Sequence, residues 1–163
     1  MKYLKFFEEI STRETGDDNH RVVKNASLFT DEELFEIDDC FKDFAEKWNI
    51  EKVDIPKESG YMDQDELEQE GNQYYIGSAR NAYINILAFT SENEIIEDLI
   101  CNFIPQLEQF GWVLAGGTSV RSLKKYIGGV NYDIGVPGFS VEDKTTENDT
   151  DYKIINIVVT KKP

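Results

Sequence analysis

The sequence has few residues of the types that build metal and redox sites. It contains a single histidine, His20, and two cysteines, Cys40 and Cys101, among 163 residues. One histidine cannot form a multi-histidine centre, and the cysteines lack the close spacing that is typical of zinc ligands or of a disulfide-stapled secreted scaffold. We therefore predict reduced thiols, no metal, no cofactor and no catalytic residue, so a non-enzymatic role is favoured.

Long apolar runs are also missing. No stretch approaches the roughly 18 apolar residues that a membrane-spanning helix needs. The apolar run at residues 3–10 is too short for a signal peptide and is interrupted by Glu8 and Glu9. These features predict a cytoplasmic protein. Ile, Asn and Lys are more frequent than Ala and Arg, a skew that is typical of AT-rich genomes and favours a bacterial or phage origin.

Positive charge is scarce, and negative charge is concentrated in one half of the chain. The net charge is −15, and residues 1–73 carry 21 of the 32 acidic residues against 9 of the 17 basic ones, a net of −12. Such a surface repels nucleic acid and anionic membranes and attracts basic partners. The same charge also promotes solubility without any partner.

The clearest helix signal begins at Thr30, where Glu33 completes a capping box. Apolar residues then recur at three- and four-residue steps through Trp48, which predicts an amphipathic helix with an acidic outer face. A second acidic segment, residues 55–73, reads as a linker or loop. Together they form the predicted partner-binding acidic face: Glu32, Glu36, Asp39, Asp43, Glu46, Asp63, Asp65 and Glu66.

The second half alternates strand and helix signals. Strands are expected at 82–89, 112–115, 130–136 and 152–160, because these segments are apolar, alternating or rich in β-branched residues. A capping box from Ser91 to Glu94 predicts a long central helix, kinked near Phe103 by Pro105. The polar stretch 141–151 reads as a long hairpin loop.

These elements predict one α+β domain. It has a mostly antiparallel sheet of about 4–5 strands packed on one long helix, with an N-terminal helical segment. Residues 1–54 form an acidic helical part, 55–73 the linker, and 74–163 the α+β core. Residues 3–10 add a short, sticky helix that docks on the core or on another chain.

One glycine-rich turn is a candidate anion site. Its backbone amides could cradle a phosphate or carboxylate beside three basic side chains. The sequence lacks the Lys-Ser/Thr pair of a phosphate-binding P-loop, and an ordinary glycine turn before a helix cap explains the same residues. The candidate residues are Gly116, Gly117, Thr118, Ser119, Arg121, Lys124 and Lys125.

The sequence as a whole predicts a non-catalytic interaction protein. Its acidic half would bind a basic protein surface as an inhibitor or accessory factor, plausibly by imitating nucleic acid toward a nucleic-acid-binding protein. One alternative is a structural or accessory subunit of a larger assembly. A second alternative is an enzyme or ligand-binding domain that uses the 116–125 turn.

Overall fold

The computed structural model describes residues 28–54, 71–146 and 148–162. The predicted helix at 3–10 and the acids Asp63, Asp65 and Glu66 lie outside these residues. The elements follow in the order α1 (Asp31–Trp48), β1 (Glu51–Lys52), β2 (Gln73–Ser78), β3 (Ala82–Ala88), α2 (Glu94–Asp98), a π-helical turn (Leu99–Phe103), α3 (Ile104–Gln109), β4 (Trp112–Leu114), a 3-10 turn (Ala115–Gly117), α4 (Val120–Lys124), β5 (Gly135–Val136), β6 (Phe139–Thr145) and β7 (Asp151–Lys161).

The seven strands of the described residues join one sheet, six of them in the order β1-β2-β3-β7-β6-β5 and β4 beside β7. Strand β7 is central, because β3 pairs along one edge while β6 and then β4 share the other. Every pairing is antiparallel except that of β1 with β2. The α+β class is confirmed, although the sheet has seven strands instead of the predicted 4–5.

The prediction of one long central helix is only partly correct. The longest helix of the described residues is α1, with 18 residues. Its capping box is present, because Thr30 Oγ1 accepts from the amide of Glu33 at 3.1 Å and Glu33 Oε1 accepts from the amide of Thr30 at 2.9 Å. The prediction of a capping box at Ser91 is wrong. Helix α2 begins at Glu94 with Asn93 as an N-cap that makes no side-chain bond, while Thr90 Oγ1 accepts from the amide of Glu92.

The predicted kink near Phe103 takes the form of the π-helical turn. It lies directly before α3, whose first turn contains Pro105, a residue that has no N–H to donate to the preceding turn. The amide of Ile104 donates to the carbonyl of Leu99, five residues back. Helices α2 and α3 are therefore joined through this wider turn, and we call the three segments together the central helix.

Two strand predictions need correction. The first five residues of the expected hairpin loop at 141–151 belong to strand β6, because Phe139 and Val141 are buried beside Ile157 and Ile155 of β7. The expected strand at 130–136 reduces to β5. Upstream of β5, Tyr132 is buried in a loop, and its hydroxyl donates to Glu97 of the central helix. Residues of this loop are thus alternately buried and exposed, as they would be in a strand.

Helix α1 and the central helix pack on the same face of the sheet. The ring of Phe41 lies 5.1 Å from that of Phe103 and 4.5 Å from that of Tyr74 on β2, so the main core lies between the helices and the sheet. The opposite face carries a second apolar cluster around Leu87 and Tyr152. No helix of the described residues is long and apolar enough to cross a bilayer.

Candidate interaction surface

The outward face of α1 carries a line of four exposed carboxylates. Glu32, Asp39, Asp43 and Glu46 are all exposed, and none has a hydrogen-bond or ion-pair partner among the described residues. We call these four residues the acidic strip. At 1.5 Å per residue the strip spans about 21 Å. The structure therefore brings four of the predicted acidic residues together on one helix face.

An aromatic side chain interrupts this charged face. Phe35 is 64% exposed, and it lies one helical turn from Glu32 and one turn from Asp39. It is outside the apolar stripe that packs on the core. A ring in water among carboxylates is not needed to hold α1, because Ile37, Phe41 and others already bury the inner face.

The fifth predicted acid of α1, Glu36, has partners of its own. Its Oε1 accepts from Trp112 Nε1 at 3.0 Å and from Lys161 Nζ at 2.8 Å. The hydrogen bond from Lys161, followed by the one from Trp112, lowers the pKa of Glu36 despite some burial. This carboxylate ties α1 to β4 and β7. Asp38 similarly accepts from Lys52 and from the hydroxyl of Tyr74.

A groove of about 250 Å³ runs beside the acidic strip, between α1 and the central helix. Its apolar lining comes from three buried side chains, Cys40, Phe44 and Phe103. Burial raises the pKa of Cys40, and Asp39 raises it further, so the thiol stays neutral. The acids of the groove are Asp43 from the acidic strip and Asp98 from the central helix.

Asp98 is the most strongly held carboxylate of the groove. Its side chain is 10% exposed, and its Oδ2 accepts from Trp48 Nε1 at 2.7 Å and from Lys47 Nζ at 3.0 Å. Asn102 donates to Oδ1. Burial alone raises the pKa of Asp98, but these hydrogen bonds outweigh burial and hold the pKa below its usual value. The carboxylate is therefore charged at neutral pH.

The glycine turn has a packing role that its sequence conceals. Gly116 has φ +88°, and an added Cβ would lie 2.4 Å from the Cβ of Pro137. Ser119 caps α4 by accepting from the amide of Ser122 at 3.1 Å. Its hydroxyl and that amide are thus already paired. Gly117 and Thr118 complete the turn.

The three basic side chains of the candidate anion site are exposed. Arg121 and Lys124 lie on α4, which has only five residues, and Lys125 follows it. Anion binding at this turn stays a prediction. No group of three or more His, Cys, Asp or Glu side chains within 28–54, 71–146 and 148–162 is arranged to hold a metal ion.

Sequence reasoning did not single out Phe35 or Asp98. Phe35 carries a readable signal, because it is apolar but falls outside the 34/37/41/44/48 spacing of the inner face. Asp98 has no such signal, since its partners Trp48 and Lys47 are about 50 residues away in the chain. Comparison with protein-family models, curated proteins and solved structures finds no match to this chain.

Proposed function

We propose that this protein binds a basic surface on another protein through the outward face of helix α1, without catalysing a reaction. The observation that carries the proposal is the exposed ring of Phe35 within the acidic strip. Aromatic side chains often anchor a binding interface by supplying buried area, and charges around them steer a partner of opposite charge.

The acidic strip brings like charges close together on the helix. Asp39 and Asp43 are four residues apart, and Glu46 follows Asp43 by three, so like charges face each other along the helix. Each such pair destabilises a helix by about 0.2–0.5 kcal/mol. Lys42 and Lys47 lie three or four residues from the same acids and offset this repulsion. The core and the capping box hold α1, so the charges of the strip are not needed for folding, which supports a role in binding.

The spacing of the acidic strip favours a patch of basic side chains over imitation of a nucleic-acid backbone. Four carboxylates over about 21 Å are sparser than the phosphates of one DNA strand, which recur about every 3.4 Å of helix axis. Mimicry remains a narrower form of the proposal, in which the partner is a nucleic-acid-binding protein that DNA displaces.

Affinity capture from the source cell's lysate tests the proposal, with washes at low and high salt and with added DNA. The test variant combines Asp39→Asn, Asp43→Asn and Glu46→Gln. The control variant combines Glu92→Gln, Glu108→Gln and Glu142→Gln, three exposed acids elsewhere, and changes the net charge equally.

We expect the unchanged protein and the control to retain one basic partner at low salt, and the α1 variant and Phe35→Ala to lose it. Equal capture by both triple variants would contradict the proposal, because net charge alone would then explain binding. A partner that survives high salt would favour the assembly-subunit alternative.

A further inference from the structure

We propose that the groove between α1 and the central helix is a receptor for an arginine side chain of the basic partner. This inference rests on the proposed function and adds the chemistry of one contact. The groove has an apolar lining from Phe44 and Phe103 and two acids, Asp43 and Asp98. That combination suits a side chain with an apolar stem and a cationic head.

Arginine fits this site better than lysine. A guanidinium is planar, offers five donors in a fixed fork, and is more weakly hydrated than an ammonium, so it enters a partly buried site at lower cost. The acceptors it would meet are the carboxylates of Asp43 and Asp98 and the side-chain oxygens of Asn102 and Gln106, which also line the groove. Its flat face can stack on an aromatic ring.

The free protein already places a cation at this position. Lys47 Nζ lies 3.0 Å from Asp98, and it also lies 5.5 Å from the ring centroid of Trp48. The side chain of Lys47 is 61% exposed, whereas that of Asp98 is 10% exposed. The lysine can therefore swing into water while the carboxylate stays in place. An incoming guanidinium would replace Lys47 as the partner of Asp98 without leaving that carboxylate unpaired.

This exchange makes Lys47 a competitor of the ligand. Lys47→Gln should tighten binding of an arginine peptide about threefold or more, since the carboxylate is then open to the ligand and one like charge is gone. Lys42→Gln is the matched control, because Lys42 is an exposed lysine of α1 outside the groove and the change in net charge is the same.

The protein has two tryptophans, and their indole N–H groups give separate reporters. Trp48 Nε1 donates to Asp98 in the groove, and Trp112 Nε1 donates to Glu36 away from it. Titration with a hexa-arginine peptide, followed by NMR of the full chain, should shift the Trp48 indole signal and leave that of Trp112 in place. Hexalysine should bind about five- to tenfold more weakly.

Asp98→Asn should weaken hexa-arginine binding about tenfold, while Glu108→Gln on the same helix should have a small effect. Because Asp98→Asn also removes an internal contact, the comparison of Lys47→Gln with Lys42→Gln provides a second test on proteins that keep the carboxylate. Equal affinities of those two variants for hexa-arginine would overturn the proposal that the groove receives an arginine.

The experiments can reject the groove proposal and the proposed function separately. Peptide binding that leaves the Trp48 signal unmoved but is lost in Phe35→Ala would overturn the groove proposal and keep the proposed function. Absence of any hexa-arginine binding would also overturn the groove proposal, and capture of a partner by the acidic strip would still decide the proposed function.

Discussion

Lys153 is almost completely buried in the middle of the sheet, with 1% of its side chain exposed. Its Nζ donates to Asp143 Oδ1 at 2.6 Å, and the two residues lie opposite each other on β7 and β6. Burying an ammonium group is costly unless it is paired. Asp143→Asn keeps an oxygen acceptor but removes the negative charge, so the free energy of unfolding should fall.

The expected size of the loss follows from the exposure of the pair. Breaking a fully buried ion pair costs about 3–5 kcal/mol, whereas an exposed pair contributes about 0–1 kcal/mol. Asp143 is 51% exposed, so its interaction is partly screened and we expect a loss of about 1–2 kcal/mol. For a chain of this length that lowers Tm by about 2–8 °C.

A double-mutant cycle checks this reasoning. Lys153→Met replaces the buried cation by an apolar side chain of similar length and should cost less than Asp143→Asn, because the charge that it leaves unpaired, the carboxylate of Asp143, is 51% exposed to water. In the Lys153→Met background, Asp143→Asn should change stability by less than about 0.5 kcal/mol. Urea and thermal unfolding of the four proteins at pH 7 give the cycle. Equal losses for Asp143→Asn in both backgrounds would refute the argument.

Three further predictions concern the buried contacts and the glycine turn. Glu36→Gln should reduce stability at neutral pH. In the folded protein, the hydrogen bond from Lys161 holds the pKa of Glu36 below its ordinary value of 4.5. The difference in stability between the unchanged protein and the variant should therefore be largest above about pH 4.5 and disappear as the pH falls through the folded pKa. Urea unfolding from pH 7 to pH 3 measures this difference, and a difference that grows on acidification would contradict the prediction. Gly116→Ala should lower the free energy of unfolding by about 2 kcal/mol or more, because the close contact with Pro137 adds to the strain of a positive φ. Gly117→Ala, at φ +84° with open space around it, should lower it by only about 1 kcal/mol. Equal losses of Tm in the two variants would argue against the packing role of Gly116. Asn85 is 5% exposed, and its Nδ2 has no hydrogen-bond partner among the described residues, so Asn85→Leu should leave Tm unchanged or raise it, and a large fall would reveal a partner for that amide.

Elements with strong local signals were predicted well. Helix α1 has both a capping box and a regular apolar stripe, and it begins at the expected residue. The central strands β3 and β7 are rich in apolar and β-branched residues, and their observed ends differ from the predicted ones by a single residue. In each case the residues that define the element are neighbours along the chain.

Elements that depend on distant partners were missed. Strand β6 contains the polar run from Glu142 to Thr145, and it is a strand because β7 offers a free edge along its length. Strand β2 is similarly stabilised by pairing with β3, and β1 by pairing with β2. No local sequence pattern predicts such a pairing, because every hydrogen bond between two strands needs a donor from one strand and an acceptor from the other.

The same division separates the two parts of the candidate site. Sequence periodicity alone determined that α1 has an acidic outer face, because a helix of 3.6 residues per turn separates the charges from the apolar stripe in any fold. Only the tertiary structure decided which carboxylates stay unpaired. Glu36 is bound by side chains 76 and 125 residues away, and Asp98 joins Asp43 across a groove. Charge is a property of the chain, but its availability to a partner depends on neighbours that only folding brings together.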